Sequence, residues 1–227
     1  MPVVEFGLMG VQPNHPVTNL TTPSGQILQR AWDAVVGALN GPRWAFGGVE
    51  VDNAERLWGF FEFESVEQHA EFAKTFGAEA VKDLPKILNK SMFQKHIDVG
   101  KDFRNVLQPE CTEIVLVYFN SKISGEEQEQ ASETVEMIAD MDLRSCVDVK
   151  AVSVGWSIEN DFPVLGGEEG QAGKVLGVFV GWESVDARKK VRETEGNGDY
   201  MKKIAGIGGV LTTATRLVAC KEFGKEG

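Results

Sequence analysis

Three histidines are the whole stock of side chains that ordinarily titrate near neutrality, so proton chemistry has few places to begin in this sequence. His96 belongs to the alternating set Met92, Gln94, His96 and Asp98, opposite Phe93, Lys95 and Ile97. A polar phase of that kind either lines a wet cavity, where His96 is a general acid or base, or faces solvent. His15 lies in the loop Gln12 to Pro16, at a site mouth or simply at the surface, and His69 follows a helix start and is assigned to solvent. Glu62 shares a strand phase with Trp58 and Phe60. Facing a cavity its carboxylate is desolvated and suited to proton transfer, whereas facing outward it is inert. His96 and Glu62 are therefore the proton-transfer candidates, with Tyr118 as hydrogen-bond donor. Trp44, Trp58 and Phe60 are candidate walls for a flat ligand, or core; His15 and the strand hydroxyl Ser153 are further binding candidates. Glu5 and Glu113 occupy matching places in two strands, either as a buried pair or as edge residues bridged to Arg43 or Arg216.

Other chemistries lack their signatures. No Gly-x-Gly-x-x-Gly opens a helix after the first strand, and there is no Walker loop or Gly-x-Ser-x-Gly. The spacing of His and Cys offers no metal motif, so neither metal nor cofactor is expected. Cys111, Cys146 and Cys220 lack CxxC spacing and read as reduced thiols of a cytoplasmic protein. A net charge of -11 argues against nucleic acid and anionic membranes as partners. No apolar stretch is long enough to cross a bilayer, and no signal-like start is visible.

The elements that must hold these residues repeat. Val3 to Val11 reads as a strand, and Thr22-Pro23 caps a helix through about Leu39. Trp44 to Val51 and Glu55 to Phe63 are strands; helices follow over 66–76 and 79–88, and Met92 to Val99 is a strand. The second half offers strand 112–119, an acidic helix 126–141, strands 147–158 and 174–182, a helix 185–194 and strand 210–220. That is β-α-β-β-α-β twice. The junction Glu64-Ser65-Val66-Glu67 recurs 119 residues later as Glu183-Ser184-Val185-Asp186. The expected halves are 1–106 and 110–227. Because both phases of strands 57–63 and 174–182 are largely apolar, each sheet needs cover on two faces: its own helices and the sheet of the other half. The expectation is an α+β barrel-like body with antiparallel sheets, helices outside and a lumen within.

On these residues the chain resembles the dimeric α/β-barrel superfamily of ferredoxin-like proteins in its fused, two-repeat form. The resemblance rests on Phe61-Glu62-Phe63-Glu64-Ser65-Val66, Val180-Gly181-Trp182-Glu183-Ser184-Val185, and the opening strands Val4-Glu5-Phe6 and Thr112-Glu113-Ile114. It points toward antibiotic-biosynthesis-monooxygenase and polyketide-cyclase-like proteins. It implies a ligand in the lumen and one of several chemistries: cofactor-free oxygenation, cyclisation, isomerisation or decarboxylation of an aromatic or polyketide-like molecule. The haem-degrading branch needs an axial histidine, and no histidine here lies in a motif for it. The alternatives are a non-catalytic small-molecule binding or stress-related protein, and a filled barrel acting through its surface. A monomer or a homodimer is compatible with either.

Overall fold

Local sequence signals place most of the elements in the computed structural model, which describes residues 2–78, 81–100, 102–193 and 200–224. β1 runs Val3–Val11, and α1 (Pro23–Gly37) starts where the Thr22 side chain accepts from the Gly25 amide. β2 (Ala45–Glu50) and β3 (Asn53–Phe63) form a hairpin; Ser65 then caps α2 (Val66–Phe72) by accepting from the Gln68 amide. A π-helical turn, Ala73–Gly77, prolongs α2, and β4 spans Leu88–Val99.

The helix expected over 79–88 does not form as such. Glu79 and Ala80 lie outside the described residues, 81–83 is a turn, and only Leu84–Lys86 is helical, as one 3₁₀ turn. Pro85 accounts for the difference, since it lacks an amide hydrogen and its ring crowds the preceding turn.

After a short α3 (Arg104–Leu107) come β5 (Cys111–Phe119), the acidic α4 (Gly125–Ile138), β6 (Val149–Ser157) and the two-residue β7 (Phe162–Pro163). β8 (Ala172–Trp182), α5 (Val185–Glu193), α6 (Tyr200–Ala205), β9 (Val210–Val218) and β10 (Lys221–Phe223) follow. Thr194, the expected end of α5, lies outside the described residues.

The chain divides into two compact units, Met1–His96 with Val218–Gly227, and Ile97–Leu217. In the first, the strand order is β10-β2-β3-β1-β4; in the second, the end of β4 is followed by β6-β8-β5-β9. Ignoring β10, each unit orders its four main strands 2-3-1-4, that of an α+β split β-α-β unit. Among the described residues no helix is long and apolar enough to cross a membrane.

In the first unit Glu5, Gly7 and Met9 pair with Phe61, Gly59 and Leu57, and this face of the sheet packs against α1. The opposite face carries Phe6, Trp58 and Phe60, with Phe6 stacked at 6.4 Å on Trp58 and 6.2 Å on Phe60. In the second unit α4, α6 and one face of β5, β6 and β8 share a single core.

Candidate functional site

Glu5 is the third residue of β1, and alternation turns its side chain toward the helices. The Ser65 cap fixes where α2 begins, so His69, its fourth residue, comes over the start of β1. His69 Nε2 lies 2.9 Å from Glu5 Oε2, and His69 Nδ1 lies 2.8 Å from His96 Nε2. Gln94 donates to Glu5 Oε1 at 2.6 Å. Phe63, the last residue of β3, lies against His69 with ring centroids 4.6 Å apart. Glu5, His69 and His96 thus form one hydrogen-bonded chain. A carboxylate and two imidazoles hydrogen-bonded in line are the geometry along which a proton can be passed.

Glu5 also lines a cavity of about 460 Å³ in the same unit, with walls from Trp32, Phe61, Leu84 and Leu88. That volume lies within the range of about 300–1,000 Å³ usual for small-molecule sites. Its origin is legible in the strands. Gly47 pairs with Gly59, and Gly59 with Gly7, so three adjacent strands carry no side chain along one row. Trp32 of α1 settles into that trough: a Cβ on Gly47 would come 2.1 Å from its ring, and one on Gly59 3.1 Å. Gly7, the last of the row, opens onto the cavity.

The second unit contains the same construction with different residues. Glu113 is the third residue of β5, Trp182 the last of β8 and Arg188 the fourth of α5, matching Glu5, Phe63 and His69. The Glu113 carboxylate is fully buried and accepts from Arg188 Nε at 2.6 Å and Nη2, from Trp182 Nε1 at 3.0 Å and from the Tyr200 hydroxyl at 2.7 Å. Burial opposes the Arg188 charge, but its hydrogen bonds and proximity to Glu113 raise its pKa above the ordinary value. Burial, reinforced by the Glu113 charge, raises the Tyr200 phenol. This carboxylate is paired with a permanently charged guanidinium where Glu5 is paired with an imidazole. The glycine row has become Val154, Val178 and Val115, paired in register and packed in the core. One unit keeps a titratable chain beside a trough; the other has an ion pair above a filled floor. A second cavity, about 540 Å³, lies along α4 and residues 207–209, and Glu113 is not part of its lining.

Of the residues singled out in the sequence, His96 joins this site. His96 itself is buried on the side of Glu5, while Gln94 and Asp98 of the same phase are exposed. His69, assigned to solvent, is instead mostly covered and is the central member of the chain. Glu62 pairs with Val4, on the sheet face opposite Glu5, where Arg43 approaches to 3.8 Å. Trp58 and Phe60 share that face and are fully buried, with Trp58 Nε1 donating to Glu50 at 3.0 Å. Trp44 packs edge-on to Phe46, 5.8 Å between centroids. His15 Nδ1 lies 2.8 Å from Ser24 Oγ, tying the loop to the first turn of α1.

Tyr118 and Ser153 belong to the second unit. The Tyr118 hydroxyl donates to the Pro163 carbonyl at 3.2 Å and accepts from the Leu165 amide, and burial pushes its pKa up to about 12. Ser153, half-buried, pairs with Phe179. The residues not singled out for this site were His69, Trp32, Gln94 and the three glycines. The available signal was the 119-residue repeat: two positions past Glu67 and Asp186 it aligns His69 with Arg188.

Among the described residues no group of three or more His, Cys, Asp or Glu side chains is arranged to hold a metal ion. With one ring nitrogen toward Glu5 and the other toward His96, His69 does not fit as an axial ligand for a haem iron.

No protein-family model matches the chain, and no curated protein matches it either. Solved structures do. An anthrone oxidase-like protein aligns over 99% of this chain and 94% of its own, with a TM-score of 0.66 and 10% identity. A candidate monooxygenase from Fusobacterium nucleatum aligns over 100% and 95%, with a TM-score of 0.61 and 12% identity. A chlorite dismutase variant from Candidatus Nitrospira defluvii aligns over 97% and 90%, with a TM-score of 0.56 and 9% identity. The likeness is one of fold.

Proposed function

We propose that this protein is a cofactor-independent enzyme that removes a proton from an apolar, aromatic or polyketide-like small molecule held against the first unit's sheet. The observation that carries the reading is Glu5, on the wall of an apolar cavity and hydrogen-bonded through His69 to His96. Glu5 is the base, and His69 and His96 share the proton it gains. Trp32 and Phe61 hold the flat ligand and keep water from the carbanion. This moves the site from the lumen expected of the sequence to the helix side of one sheet. His96 keeps its assigned role, while Glu62 and Tyr118 take no part. The two-repeat barrel, its halves at 1–106 and 110–227, and a cytoplasmic setting remain parts of the proposal.

Deprotonation opens several outcomes, and oxygenation is the one we favour, because two of the similar folds carry the names monooxygenase and anthrone oxidase. In anthrone the central methylene is acidic, since its anion is fully aromatic. Attack of that carbon on dioxygen, followed by loss of water, converts the methylene to a carbonyl. One oxygen atom enters the quinone and the other leaves as water, so no external reductant is needed.

The test is anthrone in air, with quinone formation followed by absorbance above the rate in buffer alone. Glu5→Gln keeps a group able to bond Gln94 and should lower the enzymatic rate by about 10²–10⁴-fold, the usual contribution of a positioned base. Turnover that survives this change in a protein of unaltered melting temperature removes Glu5 from the mechanism. Anthrone bound tightly and recovered unchanged by the native protein moves the reading to a binding protein of the same fold.

A further inference from the structure

The cavity has a second charged wall. Lys90, near the start of β4, is the one cation among its described lining residues, as Glu5 is the one acid. Lys90 is exposed, and its side chain makes no ion pair or hydrogen bond to another described residue. The other lysines near this segment differ: Lys86, for example, is held by Asp83 at 2.6 Å. Asn89 and Ser91, on either side of Lys90, also line the cavity and add polar groups at the same end. The opposite end is set by Gln94, which is bonded to Glu5. Lys90 and Gln94 are four steps apart along the strand, roughly 13 Å at about 3.3 Å per residue. The apolar walls of the same cavity include Trp32, Phe61 and Leu88.

We propose that Lys90 anchors an anionic oxygen group at one end of the ligand while Glu5 takes a proton from the other. Among flat polycyclic aromatics, the site then prefers those bearing an anionic oxygen group, such as an anthrone carboxylate, over their neutral parents, which it still turns over. The inference rests on the proposed proton-abstracting site and specifies what that site selects. Recognition and chemistry are separated along the length of the ligand. A ligand of about three fused rings spans the apolar middle, and the lysine stem reaches the remaining distance. An anion placed at the Lys90 end lies far from the Glu5 carboxylate, so like-charge repulsion does not oppose binding.

The experiment uses the full chain and two probes of one shape, anthracene-2-carboxylate and anthracene-2-carboxamide. Each is titrated against the quenching of Trp32 fluorescence, with Trp32→Phe as the control that assigns the signal. The carboxylate should bind roughly tenfold or more tightly than the amide, the effect of one charge-assisted hydrogen bond. In Lys90→Met that preference should fall to about threefold or less with amide affinity unchanged, and raising the salt should shrink it in the native protein. Equal affinity of the two probes, or a preference that persists in Lys90→Met, overturns the anchor while leaving Glu5 as base untouched. Failure of both probes to bind overturns the anchor and the cavity together. Loss of anthrone turnover in Glu5→Gln with the carboxylate preference retained would show the two claims standing separately.

Discussion

Gly7→Val should close the site without unfolding the protein. The change writes into the first unit the residue that the second carries at the same place, Val115. A Cβ at Gly7 would come 3.2 Å from the Phe93 carbonyl oxygen and 4.0 Å from Gln94 Cα, so β4 must yield by a few tenths of an ångström. Beyond that contact lies the cavity. Three new carbons buried there bring at most about 2.4 kcal/mol, at about 0.8 kcal/mol per methylene. Crowding against β4 costs about 1–3 kcal/mol, and replacing a strand glycine by a β-branched residue returns up to about 1 kcal/mol. The sum lies near zero, so melting should shift little in either direction. Ligand affinity should fall by about tenfold or more, because the side chain occupies the floor beside Glu5. The reciprocal change, Val115→Gly, removes three packed carbons from the second unit's core and should cost about 2–5 kcal/mol, leaving ligand affinity as it was. Melting curves and probe titrations on both variants give the comparison. A well-folded Gly7→Val protein with native affinity would refute the idea that the glycine row makes the site.

Arg188→Ala should destabilise by about 3–5 kcal/mol in urea unfolding, because it strands the buried Glu113 carboxylate with only Trp182 and Tyr200 as donors. A loss below about 1 kcal/mol would mean Glu113 is not held as a charge. Burial, aided by the charges of Glu110 and Glu113, pushes the Cys111 thiol from 9.0 up to about 12, and burial does the same for Tyr118, from 10.0 to about 12. Both raised groups favour the protonated folded state, so their stabilisation is complete below about pH 9 and is lost as pH climbs toward about 12. Melting temperatures should therefore fall across that window, and a flat profile would contradict the burial of these groups. In native protein at pH 8 a thiol reagent should reach Cys146 and Cys220 but not Cys111; prompt labelling of all three would contradict the core placement.

The elements were largely legible because their signals are local. Thr22, Ser65 and Ser124 each accept from an amide of the helix they open, and the strand edges fall within a few residues of the alternation. The strand phases were harder. Both phases of β3 are apolar, so periodicity could not say which one meets the helices. The polar phase of β4 suggested water or a lumen; Gln94 and Asp98 do meet solvent, but Gln94 and His96 also complete the hydrogen bonds of Glu5 and His69. A buried network and a wetted surface leave the same mark in one sequence. Glu5 and Glu113 were visible as a matched pair, but their partners are 64 and 75 residues away and only folding brings them in. The cavity was least legible. Gly7, Gly47 and Gly59 are unremarkable one at a time, and only strand register sets them side by side.

The contrast between His69 and Arg188 has a consequence for stoichiometry. Two identical chains in a symmetric pair must carry the same residue at every equivalent place, so a histidine in one site is a histidine in both. A tandem chain is released from that rule. Its first copy can keep a groove, a titratable imidazole and the instability that an open floor brings. Its second copy can trade all three for an ion pair and a valine floor that hold the fold. Titrated to saturation, each chain should then take up one equivalent of ligand, not two.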